Sequence, residues 1–546
     1  MSQLRHIALF KVIPALSGVL LMLAKNVEKS LWLCVIFAGM FCLPAPASRK
    51  IDRLAREFKC EQVIKLCNAI LISHPNDFYA LEKRGWAELV TKDYKRAIAD
   101  CSKAIRIRPN CARTYAFRAD ASLRSDHYQA AIDDASTAIR LSPELDCLIY
   151  LIRGHALITQ KKYVEAISDL DIGEKLPSCS KTKANIYGDR AFAHMHLNQY
   201  QQVVADCTRA IAIEPNYSWT YWLRSNGYVE LKQPDKALQD LNRAILLEPS
   251  NAENLVFRGL VFGILKDYKK EIDDMRAALR LNPEPKLKAV IYKCCAQSYT
   301  GLGQYRASVI ACNNAIEIDP TDSETWFDRG NAYGLLAEVD SAQSDFAKAI
   351  ELDPKNLRAY WTRGILYRNN ARYEECISDF ERALAINPYI GVACYELPIA
   401  YYEVGRYEDA LRICSQAIAA NENEMDFYYT RGCVREKLHQ WKQAVDDFTV
   451  SNNREFAWSW AYYHRAKCYA QLGDHHRCIS DCSKAIQLDP DSSDSSVIYI
   501  TRAWSYLMTG DFPNAILDNV TAISKSARLW KEECVTIWTG VLGVIN

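Results

Sequence analysis

The 546-residue chain lacks a charge excess of either sign: 67 Lys and Arg stand against 66 Asp and Glu, a formal +1 at pH 7. That balance argues against a nucleic-acid binder, which concentrates surplus Lys and Arg on one face. It also argues against intrinsic disorder, because 49% of the residues are hydrophobic and 24% charged, the proportions of folded globular material. No stretch alternates apolar and polar residues as a half-buried strand would. No G-x-x-x-x-G-K-[ST], G-x-S-x-G or H-E-x-x-H occurs, so phosphate-loop, nucleophile-elbow and zinc-protease chemistries have no motif to start from.

Prolines are sparse, 18 in all, but their spacing is regular. Pro75, Pro109 and Pro143 are 34 residues apart, as are Pro215, Pro249 and Pro283, and again Pro320, Pro354 and Pro388. Proline marks the end of a helix or the turn after it, so this spacing counts helical units. Laid on that register, the chain divides into thirteen repeats: 78–111, 112–145, 147–180, 184–217, 218–251, 252–285, 289–322, 323–356, 357–390, 391–424, 425–458, 459–492 and 496–529. A half-repeat, about 49–77, precedes them. Segments such as RYEECISDFERALAINP place apolar or small residues at i, i+3, i+4 and i+7, the pattern of an amphipathic helix.

Each unit carries an aromatic near the start of its first helix and a small residue four positions on, as in Trp326 and Gly330 or Tyr360 and Gly364. A turn with Tyr follows, then a second helix ending in Ala-Ile. These features resemble the tetratricopeptide repeat, a 34-residue helix–turn–helix unit. The resemblance covers about residues 49–529 and implies an all-α, right-handed superhelical solenoid of stacked antiparallel helix pairs. It departs at the family's Leu before Gly, where this chain nearly always has Arg. That Arg is Arg84, Arg118, Arg153, Arg190, Arg224, Arg258, Arg329, Arg363, Arg431, Arg465 and Arg502. Sixteen residues after each stands an Asp, as in Asp100, Asp134, Asp379 and Asp447. The two repeats that lack the Arg, with Cys295 and Leu397, also lack the Asp, with Ala311 and Ile413. Positions that vary together suggest contact, here an ion pair tying the two helices of each repeat.

Residues 1–47 lie outside the repeats. Ile7–Ala24 is apolar but interrupted, whereas Leu31–Leu43 carries no charge and is followed by Ala45-Pro46-Ala47. Thirteen residues are short for a bilayer span, which takes about 20. They suit a signal peptide cleaved after Ala47, with translation starting at Met1 or Met22, or, uncleaved, a membrane anchor formed by residues 7–43. The expected location is therefore exported or membrane-associated, with a cytoplasmic chain as the alternative. Seventeen of the twenty cysteines spread along the repeats. Cys67, Cys101, Cys207, Cys312, Cys414 and Cys482 share one repeat position with Leu170, Met275 and Phe380, so they read as small buried hydrophobes.

Little suggests catalysis or a metal. His475, Cys478 and Cys482 have ligand-like spacing, but the two cysteines fall at core positions of the repeat. The expectation is no enzyme activity, no cofactor and no metal. What remains is surface. The resemblance implies that first helices line a concave groove holding a peptide or protein, with the fifth residue of each repeat facing it. Here that residue is Trp222, Phe327, Trp361, Tyr395, Tyr429 and Tyr463, and Tyr402 stands near Pro398, which interrupts a first helix. The carboxylate-gripping Lys and Asn of the co-chaperone members are missing, since Glu82 with Trp86 and Ala116 with Asp120 occupy those positions. The sequence thus points to a protein-interaction scaffold with no nucleic acid partner. The alternative is a structural subunit of an envelope or membrane assembly that self-associates through the solenoid. Residues 530–546, with Trp530, Cys534, Ile537, Trp538, Val541 and Ile545 at helical spacing, read as a C-terminal capping helix.

Overall fold

The computed structural model describes residues 46–525, apart from 145, 178–179, 388–390, 421–424, 454–457 and 491–494. The leader segment expected over 1–47 and the capping segment expected over 530–546 lie outside the described residues, except that the first helix starts at Pro46. An expected cut after Ala47 therefore falls in the first turn of that helix.

Among the described residues there are 28 helices and no strand. Helices α1 (Pro46–Arg56) and α2 (Cys60–Ser73) form the pair preceding the first full repeat. Odd-numbered first helices and even-numbered second helices then alternate, from α3 (Phe78–Val90) and α4 (Tyr94–Ile107) to α27 (Ser495–Met508) and α28 (Phe512–Lys525). The chain is an all-α solenoid of paired helices, in which each first helix packs against the second helix of its own repeat. It divides into two compact units, 1–320 and 321–546, at a boundary where the 34-residue phase carries no insertion.

The turn inside each repeat has one construction. After α3, the Lys92 amide donates to the Leu89 carbonyl and the Asp93 amide to the Glu88 carbonyl, while Lys92 takes φ +67°. This pair of bonds satisfies carbonyls that a helix end leaves open, and it requires a left-handed residue. Gly303, Gly405, Gly473 and Gly510 fill the same place with φ between +73° and +80°, whereas Asp126, Lys161, Lys232 and Ala371 fill it without glycine's freedom.

The two helices of a repeat approach closely through one matched pair of positions. A Cβ added to Gly432 would lie 2.7 Å from the Phe448 ring, at Gly330 3.0 Å from Phe346, and at Gly364 3.1 Å from Phe380. Where the first helix carries Ala instead, the facing residue is smaller: Ala191 with Cys207, Ala296 with Cys312, Ala466 with Cys482. At these three positions the buried cysteine is a volume match to alanine, whereas Cys101 faces Gly85, where an added Cβ would lie 2.9 Å from its sulfur. The described cysteines are thiols, buried except for Cys111 and Cys433, and burial pushes the Cys67 thiol up to about 12. Cys478 and Cys482 are fully buried, and no group of three His, Cys, Asp or Glu suited to a metal ion occurs among the described residues.

In unit 1 the largest core surrounds α7 (Cys147–Thr159), where every residue from Cys147 to Ile158 is buried except Arg153. A helix apolar on all sides is enclosed on all sides. No described helix is long and apolar enough to cross a membrane.

Candidate partner-binding face

Two systems of side chains repeat along the stack, one on each side of the first helices. On one side is a polar ladder. All eleven Arg side chains grip the Asp sixteen residues on with two parallel bonds, Nε to Oδ2 and Nη2 to Oδ1, at 2.5–3.0 Å. The fork of a guanidinium matches a carboxylate in this way, and Lys could not replace it. At least eight of these arginines do a second thing that the sequence comparison missed: Nη1 reaches the second helix of the preceding repeat. Arg118 donates to Ser102 Oγ at 3.0 Å, Arg258 to Asn242 Oδ1 at 2.7 Å, Arg465 to Thr449 Oγ1 at 3.1 Å. Ser102 and Thr449 meanwhile donate to the backbone carbonyls of Ile98 and Val445. One side chain thus ties three helices. For Arg84, Arg118, Arg224, Arg258 and Arg465 the partner is a small polar residue sixteen positions before the Arg, whereas Arg153 and Arg502 reach Ser136 and Ser483 at other offsets and Arg190 reaches Asp171 and Glu174. At Arg363 the residue sixteen positions before is Ala347, which offers no side-chain acceptor.

In the two exceptional repeats the ladder is replaced by apolar contacts: Cys295 and Ala311 are each 5% exposed, Leu397 0% and Ile413 6%. Helix α21 (Gly391–Glu403) carries Pro398 within its length.

The other side is the face where successive first helices meet. The ninth residue of each repeat decides its character. In unit 1, Trp86, Asp120, His155, Phe192 and Asn226 are buried, while Leu260 and Gln297 of its last two repeats are part-buried. Their polar members are satisfied within the protein. Asp120 accepts from Arg124 at 2.7 Å, and Asp189 of the next repeat lies 3.0 Å from His155 Nδ1. Burial pulls the His155 pKa down, but Asp189 more than offsets it, so the imidazole is held above its ordinary range. Trp222 is enclosed here too, its ring 5.6 Å from Phe257.

In unit 2 the ninth residues are Asn331, Ile365, Ile399, Cys433, Lys467 and Trp504, and none of them is buried. Around them stand the aromatics singled out by sequence. Trp361, Tyr402 and Tyr429 are half-buried, while Phe327 and Tyr463 are buried. The Arg358 guanidinium lies over Phe327 at 4.2 Å, and Tyr463 packs edge-on against Trp460 at 5.4 Å. Tyr429 meets the exposed Trp458 at 5.4 Å and His464 at 5.9 Å. The side chain of Tyr395 lies outside the described residues.

Among these first helices is a charged cluster that sequence reasoning did not find. Glu436 accepts from Lys467 Nζ at 2.7 Å and pairs with His464 Nδ1 at 2.7 Å. Burial pushes the Glu436 carboxyl up, yet His464 and Lys467 together hold it below the usual carboxylate range. The three residues come from α23 (Met425–Lys437) and α25 (Ser459–Gln471), at offsets of 28 and 31 residues that no single-helix pattern reveals. Arg368 of α19 (Leu357–Asn369) likewise pairs with Glu396 of the next repeat. Each of these bonds joins neighbouring repeats, so the aromatic and charged groups are held at fixed spacing.

Comparison with known proteins agrees with this architecture. The tetratricopeptide repeat profile matches residues 459–492, 357–390, 311–344, 65–110 and 296–322, the first two coinciding with repeats read from the proline register. No curated protein matches. Among solved structures the chain is similar to YrrB, a TPR protein with an unusual peptide-binding site, at 24% identity over 34% of this chain and 94% of that one, TM-score 0.31. It is similar also to the APC/C hetero-tetramer Cut9-Hcn1, at 14% identity over 83% and 94%, TM-score 0.35. A tetratricopeptide repeat protein from Parabacteroides merdae ATCC 43184 matches at 19% identity over 46% and 98%, TM-score 0.34. With two of the five matches falling on helix pairs that the proline register delimits, the chain belongs to the tetratricopeptide repeat family.

Proposed function

We propose that the protein is a non-enzymatic interaction scaffold that holds a peptide or protein partner in a groove along the first-helix face of unit 2. One observation carries the reading: the ninth residues are buried in the first five full repeats, whereas from Leu260 onward, through unit 2, none is buried and Ile399 and Trp504 are exposed. A surface whose side chains already satisfy and cover one another has little left to offer a ligand. A surface of half-open aromatics keeps apolar area available, and rigid rings lose little conformational entropy on binding. In this reading Trp361, Tyr402 and Tyr429 supply the apolar contact. Lys467 supplies a cation fixed by Glu436, and Ile365 and Ile399 the flanking surface. The scaffold needs no chemistry of its own.

The test is affinity capture with the full chain, identification of the captured partner, and calorimetry of the purified pair. Trp361→Ala/Tyr429→Ala is expected to weaken binding at least tenfold while leaving the helical signal intact. Unchanged affinity in the folded double variant would remove this face from consideration.

A further inference from the structure

Four ionisable side chains lie within the core around α7, where α5 (Ala112–Arg124), α7 and α9 (Ser180–His196) follow one another as first helices. Asp120, His155 and Asp189 are buried, and the Arg124 side chain is 9% exposed. Asp120 and Arg124 stand one turn apart on α5 and cancel each other. His155 and Asp189 come from consecutive repeats, the ninth residue of one and the sixth of the next, with 3.0 Å between Nδ1 and Oδ2.

The remaining charges around α7 are committed elsewhere. Helices α6 (Tyr128–Leu141) and α8 (Tyr163–Lys175) also pack on it, and their buried carboxylates, Asp134 and Asp169, are gripped by Arg118 and Arg153. On α9, Arg190 is taken by Asp206, Asp171 and Glu174, His194 turns to Gln199, and His196 stacks on Tyr163 of α8 at 4.5 Å. Among the described residues Asp189 therefore has one counter-ion, the imidazole of His155. A carboxylate taken out of water is costly unless its charge is compensated. A neutral imidazole can still donate from Nδ1, so losing the proton keeps the hydrogen bond and removes the charge. The four groups sum to zero only while His155 is protonated.

We propose that His155 and Asp189 form a proton-operated tie between the first helices of repeats 147–180 and 184–217, closed while the imidazole is charged and loosened when it is neutral. Burial and Arg124 oppose that proton, and Asp189 prevails over both, so the folded protein holds it more tightly than an unfolded chain with its ordinary value of 6.5. The tie is thus complete below pH 6.5 and weakens as pH rises through the folded value. His196 does not share this behaviour, because burial first and Lys161 second hold its imidazole below the ordinary range. Glu88 changes charge in an overlapping window, but it belongs to the first repeat. The tie lies in unit 1 and is independent of the groove reading for unit 2.

The experiment is hydrogen exchange of the full chain read by mass spectrometry between about pH 5.5 and about pH 8.5, expressed as protection so that the intrinsic pH dependence of exchange drops out. One proton changes an opening constant by at most about tenfold per pH unit. Within that limit, protection in α7 and α9 is expected to fall at least about threefold across the window in the wild type, and to stay level in Asp189→Asn and in His155→Gln. NMR of the chain labelled with carbon-13 histidine supplies the second readout, with His155 identified as the resonance lost in His155→Gln. Its titration midpoint is expected above 6.5 in the wild type and below it in Asp189→Asn. Protection of α7 and α9 that stays constant in the wild type would overturn the proposal without recourse to any variant, as would a wild-type midpoint at or below 6.5. Equal pH dependence in the wild type and a folded Asp189→Asn would overturn it as well.

Discussion

Replacing Arg363 with Leu isolates one rung of the polar ladder. Arg363 bonds Asp379 through Nε and Nη2, each at 2.7 Å, and with Ala347 behind it the rung has no acceptor in the preceding repeat. The Asp379 side chain is 5% exposed and that of Arg363 16%, so the carboxylate is shut from water while the guanidinium keeps some contact with it. Removing the Arg leaves that carboxylate buried without its counter-ion. Breaking a fully buried pair costs about 3–5 kcal/mol, and the residual exposure lowers the expectation to about 2–4 kcal/mol. Changing both partners should cost far less, because apolar residues of suitable size often replace a buried pair with no loss. The protein already contains such replacements at Cys295 with Ala311 and Leu397 with Ile413. Arg363→Leu/Asp379→Ile is therefore expected to return to within about 1 kcal/mol of the wild type, a coupling of about 2 kcal/mol or more. Stacked repeats can open locally, so exchange of amides in α19 and in α20 (Tyr373–Ile386) is the appropriate assay, beside the thermal transition. If the double variant is as destabilised as the single, the ladder is surface decoration and the reasoning fails.

Four further outcomes are expected. Burial first, and the neighbouring Asp100 second, push Glu88 up to about 8 from an ordinary 4.5. Its favourable contribution is therefore complete below pH 4.5 and lost as pH rises to about 8. Stability of the first repeat should fall across that window by no more than about 1.4 kcal/mol per pH unit, and Glu88→Gln should flatten the slope in pH-dependent melting. Gly432→Ala should cost about 1–3 kcal/mol by overpacking against Phe448, and Phe448→Cys should recover part of it, reproducing the Ala466 and Cys482 pairing; chemical denaturation measures both. Ala371→Gly, at φ +56°, should stabilise the chain by about 0.5–1 kcal/mol in the same assay. Amino-terminal sequencing of the natural protein is expected to begin at Ser48; a chain beginning at Met1 in a soluble cytosolic fraction would contradict export.

The repeat length, the helix pairs and the turns were legible in the sequence because they rest on local rules. A left-handed residue ends a first helix, a proline or its substitute ends a second, and a 34-residue phase brings identical neighbours into register whatever lies elsewhere. The Arg and Asp positions were legible for a related reason: their partners recur at one constant offset, so two joint losses reveal the contact. The residues of the first-helix face could also be numbered in advance, but not their exposure. Trp222 and Trp361 occupy the same place in their repeats, yet one ring is enclosed against Phe257 and the other half-open, because enclosure depends on how large the neighbouring repeat's side chains are. The cluster of Glu436, His464 and Lys467 joined residues of different helices at offsets that occur once, and the Arg bridges kept a sixteen-residue offset in only some repeats, so neither showed as a full period. Sequence alone determined what each repeat is, since a helix pair is set by its own residues. Only the tertiary structure decided which repeats keep an open surface, since burial is a property of what stands next to a side chain.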